Sequence, residues 1–208
     1  QLWWGLTQPF AGAIADRVGT GRVLVTGVVL VALGTFITPL MTSTAGLIFS
    51  IGVLAAGGAG MAGPSVLMAA TTRMVPAARR GIATGMVNAG GSFGQFLMAP
   101  LAIGLSASMG WASAMQVLGL LVLLALPAAW VLKGNALQSA PAGQKRLSAR
   151  EAIAEAFRLP SFWMLSAGFL VCGFHVAFLA THLPGVIAEC GLPVQVGGWA
   201  LAMIGLFN

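Results

Sequence analysis

FAGAIADRVGTGR, residues 10–22, decides how the rest of the chain is read. Asp16 and Arg17 stand side by side at the end of one apolar run, and Arg22 opens the next. Between them Gly19 and Gly21 are expected to break the helix, since glycine tolerates non-helical backbone most readily. Only 7% of the 208 residues are charged, so three charges around one glycine-bent turn stand out. The pattern suits a short hairpin between two membrane-spanning helices, on the cytoplasmic side where basic residues accumulate.

Composition sets the class. The chain is 58% hydrophobic, against roughly 45–50% in soluble domains, and its mean hydropathy is +0.95. Ten basic and four acidic residues are too few to cover a water-facing surface. The expected fold is an all-α polytopic membrane protein, a bundle of transmembrane helices, because each span in lipid must satisfy its own backbone groups. The lipid bilayer is the implied partner. A pI near 11.2 invites a nucleic-acid reading. The basic residues are scattered over short connections, however, with no basic run interleaved with aromatics, so no nucleic-acid partner is expected.

Apolar runs cover residues 1–15, 23–43, 45–70, 81–105, 112–132, 161–184 and 195–208. The middle five meet the ~20 residues that a span needs, and the first and last are shorter. The connections after residues 15, 70 and 132 hold Arg17, Arg22, Arg73, Arg79, Arg80, Lys133, Lys145, Arg146, Arg150 and Arg158. Those after 43, 105 and 184 hold no lysine or arginine. If the spans alternate, every basic residue lies on one side, the cytoplasm, with Ser106–Gly110 and Gly185–Val194 as outer loops. Trp111, Trp130 and Trp163 fall at span ends, where an aromatic belt would place them. Gln1 opens within an apolar run without a basic leader, and Asn208 stops within another, so both ends are expected to be truncations of a longer chain.

Residues 133–160 are the longest polar connection. KGNALQSAPAGQKR reads as a flexible linker, and LSAREAIAEAFRLP predicts a short amphipathic helix. Ser148 and Glu151 fit a capping box, Ile153 and Phe157 share one face, and Pro160 ends the segment. Its basic flanks suggest that it lies on the cytoplasmic membrane surface. The chain thereby divides into an N-terminal half-bundle (1–132), a central connection (133–160) and the start of a second half-bundle (161–208).

Gly12, Asp16, Arg17, Gly19 and Arg22 resemble the G-x-x-x-D-R-x-G-x-(K/R)-(K/R) signature between the second and third helices of major facilitator superfamily transporters, with Gly21 where a second basic residue is common. PAARRGIATG, residues 76–85, resembles the loop between helices four and five. Gly5-Leu6-Thr7-Gln8 and Gly205-Leu206-Phe207-Asn208 would occupy matching places in helices two and eight, in line with the repeated halves of such transporters. The resemblance implies a secondary transporter of the bacterial inner membrane, working by alternating access, of which this chain supplies helices two to eight. It also implies a conformational latch of Gly12, Asp16, Arg17, Gly19, Arg22 and Arg80, in which Asp16 and the arginines stabilise the state closed to the cytoplasm. GFHVAFLATHLPGVIAECGLP, with GLTQPFAGAIADRVG, is similar to the monocarboxylate and oxalate/formate exchanger-like branch, which implies a small organic anion as substrate. Ala99-Pro100 lacks the flanking glycines of the drug-antiporter motif, which leaves drug/proton antiport as the alternative.

The candidate substrate-lining residues are Asn88, Ser92 and Gln95, spaced along one helix face, and His175, in mid-span with His182 further along. Polar groups inside a span are costly and tend to face a cavity; they also hydrogen-bond between helices. His175 could carry a proton near neutral pH, which makes the proton a candidate coupling ion. The spans contain no Asp or Glu to act as a carboxylate relay.

Other motifs have blander readings. Gly58–Gly63 spells GxGxxG but follows no strand and precedes no acid, so helix packing through small residues is expected, as for the pairs Gly81/Gly85 and Gly90/Gly94. Gly90-Gly91-Ser92-Phe93-Gly94 matches GxSxG, and His175 as base would make an intramembrane serine hydrolase. That elbow needs a strand-to-helix turn, which a mid-span serine lacks. A non-transporting scaffold is a third class, against which the intramembrane polar residues argue. Cys172 and Cys190 are too far apart for a disulfide, with Cys172 expected to be packed and Cys190 exposed. No metal cluster, cofactor or enzymatic activity is expected.

Overall fold

The computed structural model describes residues 1–132 and 149–207, which are helical almost throughout. The helices are α1 (Leu2–Val18), α2 (Thr20–Ile37), α3 (Thr44–Leu47), α4 (Ala56–Met61), α5 (Pro64–Met74), α6 (Arg80–Val122), α7 (Leu126–Val131), α8 (Ala149–Arg158), α9 (Pro160–Glu189) and α10 (Val194–Phe207). A 3-10 turn, Thr38–Leu40, extends α2, and a π-helical segment, Ile48–Ala55, joins α3 to α4. Four stretches are long and apolar enough to cross a membrane: Thr20–Leu40, Thr44–Met74, Ala77–Val131 and Pro160–Glu189. The fold is an all-α polytopic membrane bundle, as composition implies.

The third stretch is 55 residues long. As one straight helix it would run about 80 Å, far beyond the ~30 Å hydrocarbon core. Gly110 divides it, with φ 80 and ψ 158 in the midst of α6, a backbone that a side-chain-bearing residue rarely adopts. The five full spans expected from the sequence are therefore all present. The loop expected at Ser106–Gly110 shrinks to a break at one glycine, with helix continuing through Met109. The loop expected at Gly185–Val194 is likewise shorter, because α9 runs to Glu189 and only Cys190–Pro193 turn the chain.

The turn at residues 10–22 is tighter than expected. Gly19 alone breaks the helix, at φ 98 and ψ 140, and its N–H bonds back to Ala15. Gly21 does not share in the break; it is buried in the first turn of α2. Further on, Pro64 opens α5 and has no N–H to continue α4. Gly63 before it is pushed to extended backbone, ψ 171, which bends the stretch 44–74 in its middle.

α2 is the centre of the first half and packs against α1, α4, α5, α6, α7 and the π segment. Apolar attraction gives little drive in lipid, so contact depends on close backbone approach through small residues. A Cβ on Gly58 would lie 2.6 Å from the Gly27 carbonyl oxygen and 2.7 Å from Val31 N, so α4 meets α2 backbone to backbone. The GxGxxG run is thus helical packing. Toward one end, buried Thr38 donates to the Gly34 carbonyl at 2.7 Å and to Ser50 Oγ at 3.2 Å, which joins α2 to the π segment. Around this core many large apolar side chains are exposed, among them Val29, Leu33, Phe93, Leu124 and Val131, as lipid-facing surface requires. The pairs Gly81/Gly85 and Gly90/Gly94 depart from the packing expectation: a Cβ at any of them would meet nothing within 4 Å.

α9 and α10 form a hairpin, closed by Pro184 and Ile187 against Gly197. α10 then lies along α6, with Gly198 against Ile103 and Gly205 against Ser92, Gln95 and Phe96. Leu159, extended, separates α8 from α9, and Pro160 begins α9 as well as ending α8. Trp163 Nε1 donates to the Phe157 carbonyl at 3.0 Å across this joint. The linker 133–148 and the capping role of Ser148 lie outside the described residues.

Candidate functional site

Two contacts define the basic end of the bundle. The Asp16 carboxylate, exposed at the end of α1, accepts a hydrogen bond from the guanidinium of Arg73 at the end of α5. Thr20 Oγ1, at the start of α2, donates to the Leu132 carbonyl just after α7, at 3.3 Å. The ends of α1, α5 and α7 and the start of α2 therefore meet at one end, where Arg17, Arg22 and Arg73 collect. For these three arginines this agrees with the alternation of basic and non-basic connections.

Among the expected latch residues, Asp16 has a partner, but it is Arg73 and not Arg80. Arg79 and Arg80 are exposed beyond it at the start of α6, with no ion pair among the described residues. Arg17 and Arg22 are exposed at the turn, and Gly12 is half-buried with nothing within 4 Å of where a Cβ would sit. The sequence reading placed Arg73 only among the basic residues of the connections and not in the latch, although a signal for the pairing existed. Asp16 is the only acid in residues 1–132, so any intramolecular ion pair in this half must use it. Arg73 is the arginine in the last turn of α5, whereas Arg79 and Arg80 lie past the Val75–Pro76 break. Two helical turns before this pair, Ser65 Oγ donates to Gln8 Oε1, a second polar contact between α5 and α1 that the sequence reading also missed. The two contacts fix α1 and α5 side by side and parallel.

The intramembrane polar residues separate into two sets. Ser92 and Gln95 are half-buried where α10 seats on α6: a Cβ on Gly205 would lie 3.0 Å from the Ser92 carbonyl and 2.9 Å from Gln95 Cβ. Asn88, one turn earlier, is exposed. His175 is exposed on α9, with Nδ1 at 2.8 Å from the Val171 carbonyl of its own helix and its ring edge-on to Phe174. Phe174 stacks on Phe178, whose ring centre lies 4.8 Å from that of His182, so in ring contacts a pair of phenylalanines stands between the two histidines of α9. Cys172 shares this exposed helix and is not packed as expected, because among the described residues α9 packs only on α8 and α10 to any extent.

Ser92 lies within the continuous helix 80–109, not at a strand-to-helix elbow. It shares no hydrogen bond with His175 among the described residues, so the geometry of a serine hydrolase is not built. No group of three or more His, Cys, Asp or Glu that could hold a metal occurs among the described residues.

The sequence profile of the Major Facilitator Superfamily matches residues 4–208, nearly the whole chain. The chain belongs to this superfamily. It is also similar to a protein of Dickeya chrysanthemi named as a galacturonate transporter, with 32% identity over 149 residues. That alignment takes in 70% of this chain and 40% of the relative, so the chain spans about two fifths of the length of the relative that it matches.

Proposed function

We propose that the protein is a secondary transporter of the bacterial inner membrane that moves a small organic anion by alternating access, with its arginine-rich end in the cytoplasm. The superfamily match over residues 4–208 carries this reading. The relative named as a galacturonate transporter favours a sugar acid as the first substrate to test.

Such a solute offers hydroxyls and one carboxylate. Asn88, Ser92, Gln95 and His175 supply hydrogen-bond donors and acceptors of the kind that bind hydroxyls. Among the described residues, every arginine lies at the basic end or on α8, away from these four. Proton coupling through His175 is the version of the mechanism that places the proton in mid-span, since the one acid of α9, Glu189, stands at its end.

The experiment is uptake of radiolabelled galacturonate into cells that express the complete reading frame, with lactate, formate and a cationic dye as competitors. Saturable uptake competed by other organic acids supports the reading. Dye extrusion without acid uptake would point to drug/proton antiport, and the absence of both would remove the proposal.

A further inference from the structure

Arg22 and Trp130 line a cleft of about 380 Å³ between the start of α2 and the end of α7, together with Gly21, Val25 and Thr26. The hydrogen bond from Thr20 to Leu132 ties the two helices together beside it. Gly21 is buried and Val25 half-buried, while Arg22, Thr26 and Trp130 are exposed. Among the described residues the lining is one guanidinium, one indole, one hydroxyl and otherwise apolar or bare backbone.

The charge balance favours an anion. No carboxylate among the described residues lines the cleft, and Asp16, the sole acid of residues 1–132, is engaged by Arg73. Arg22 has no acidic partner among the described residues. The first turn of α2 has no side-chain cap, so its positive end adds to the field of the guanidinium.

The position of the cleft narrows the anion further. On α2, Val29 and Leu33 continue away from it with exposed apolar side chains; Leu124 and Val131 are exposed on the α7 side. A cation and a tryptophan thus stand where an apolar, lipid-facing flank meets the basic end of the bundle. Basic pockets between helices at the cytoplasmic boundary suit phosphate headgroups. A soluble phosphate would use only Arg22, whereas a phospholipid would also use the indole and the apolar flank.

We propose that this cleft binds the phosphate headgroup of an anionic membrane phospholipid. Arg22 pairs with the phosphate, Trp130 packs beside the glycerol region, and the acyl chains run along Val29 and Leu33.

The test uses the complete protein, purified in a zwitterionic detergent, with fluorescent phosphatidylglycerol and phosphatidylcholine as probes and inorganic phosphate as competitor. The wild type is expected to prefer phosphatidylglycerol by about fivefold or more, the size of effect one basic residue exerts near a membrane surface. Arg22→Gln removes the cation, and Thr26→Trp fills the cleft while leaving Arg22 in place; both should bring the two lipids to parity. Arg79→Gln loses the same charge outside the cleft and should keep the preference. A wild type without preference, a preference retained by either cleft variant, or an equal loss in Arg79→Gln overturns the proposal. Complete displacement by millimolar phosphate also overturns it, in favour of a free-anion site.

Discussion

The Asp16 carboxylate is held by the Arg73 guanidinium, so the sole acid of the first half links the end of α1 to the end of α5. Both side chains keep substantial contact with solvent, and exposed pairs of this kind contribute only about 0–1 kcal/mol to stability. Its value to a transporter would lie elsewhere: an interaction present in one conformational state biases the equilibrium between states.

Asp16→Asn in the complete protein is therefore expected to lower transport rate by up to about fivefold, the size of a bias of up to about 1 kcal/mol, while protein level stays near normal. Arg73→Gln should behave alike, and the exchange Asp16→Arg with Arg73→Asp should recover part of the rate. Initial uptake normalised to membrane expression is the measurement. Unchanged uptake in Asp16→Asn would leave the pair as an ordinary surface contact.

The arrangement of the basic end predicts which positions water-borne reagents reach from each side. With Cys172 and Cys190 replaced by serine, since both are exposed, a cysteine at Ser108 should react with an impermeant maleimide in intact cells. A cysteine at Ala78, exposed in the turn before α6, should react only after permeabilisation. Labelling of Ala78→Cys in intact cells would reverse the orientation.

Close packing of α2 and α4 predicts an asymmetric response to one methyl group. Gly58→Ala places a Cβ 2.6 Å from the Gly27 carbonyl, so the helices must separate, at a cost of roughly 1–3 kcal/mol. Gly85→Ala meets nothing within 4 Å, and replacing an open helical glycine should be neutral or stabilising by about 0.5–1 kcal/mol. Thermal unfolding in detergent would compare the two, and equal midpoints would contradict the packing described here.

Contact at Gly205 divides the intramembrane polar residues by expected phenotype. Gln95→Ala alters a half-buried side chain beneath α10 and should lower both thermal stability and transport. Asn88→Ala and His175→Ala alter exposed side chains and should leave stability within about 0.5 kcal/mol of wild type while raising the apparent KM. Substrate-dependent uptake and unfolding midpoints of all three variants are needed together. Wild-type kinetics in both Asn88→Ala and His175→Ala would remove them from the substrate path.

Much of the architecture was legible from residues 1–208 alone. Long apolar runs must be helices because lipid offers no partner for backbone groups, and the ten basic residues cluster in alternate connections. Those are local properties of each segment and of its order in the chain. What lies opposite what is not local. Asp16 could be read toward Arg79 and Arg80 because one signature and one loop share a side; only the rotation and depth of α1 against α5 select Arg73. Ser92 and Gln95 share a face with Asn88 by spacing, yet the crossing of α10 over α6 at Gly205 covers two of them and leaves the third open. The break at Gly110 could be read as a loop of five residues, whereas in the fold one positive φ suffices. By itself the sequence determined the spans and the charged end, through hydropathy and charge. The tertiary structure decided the pairings, because they depend on how helices far apart in the chain turn and lean against one another.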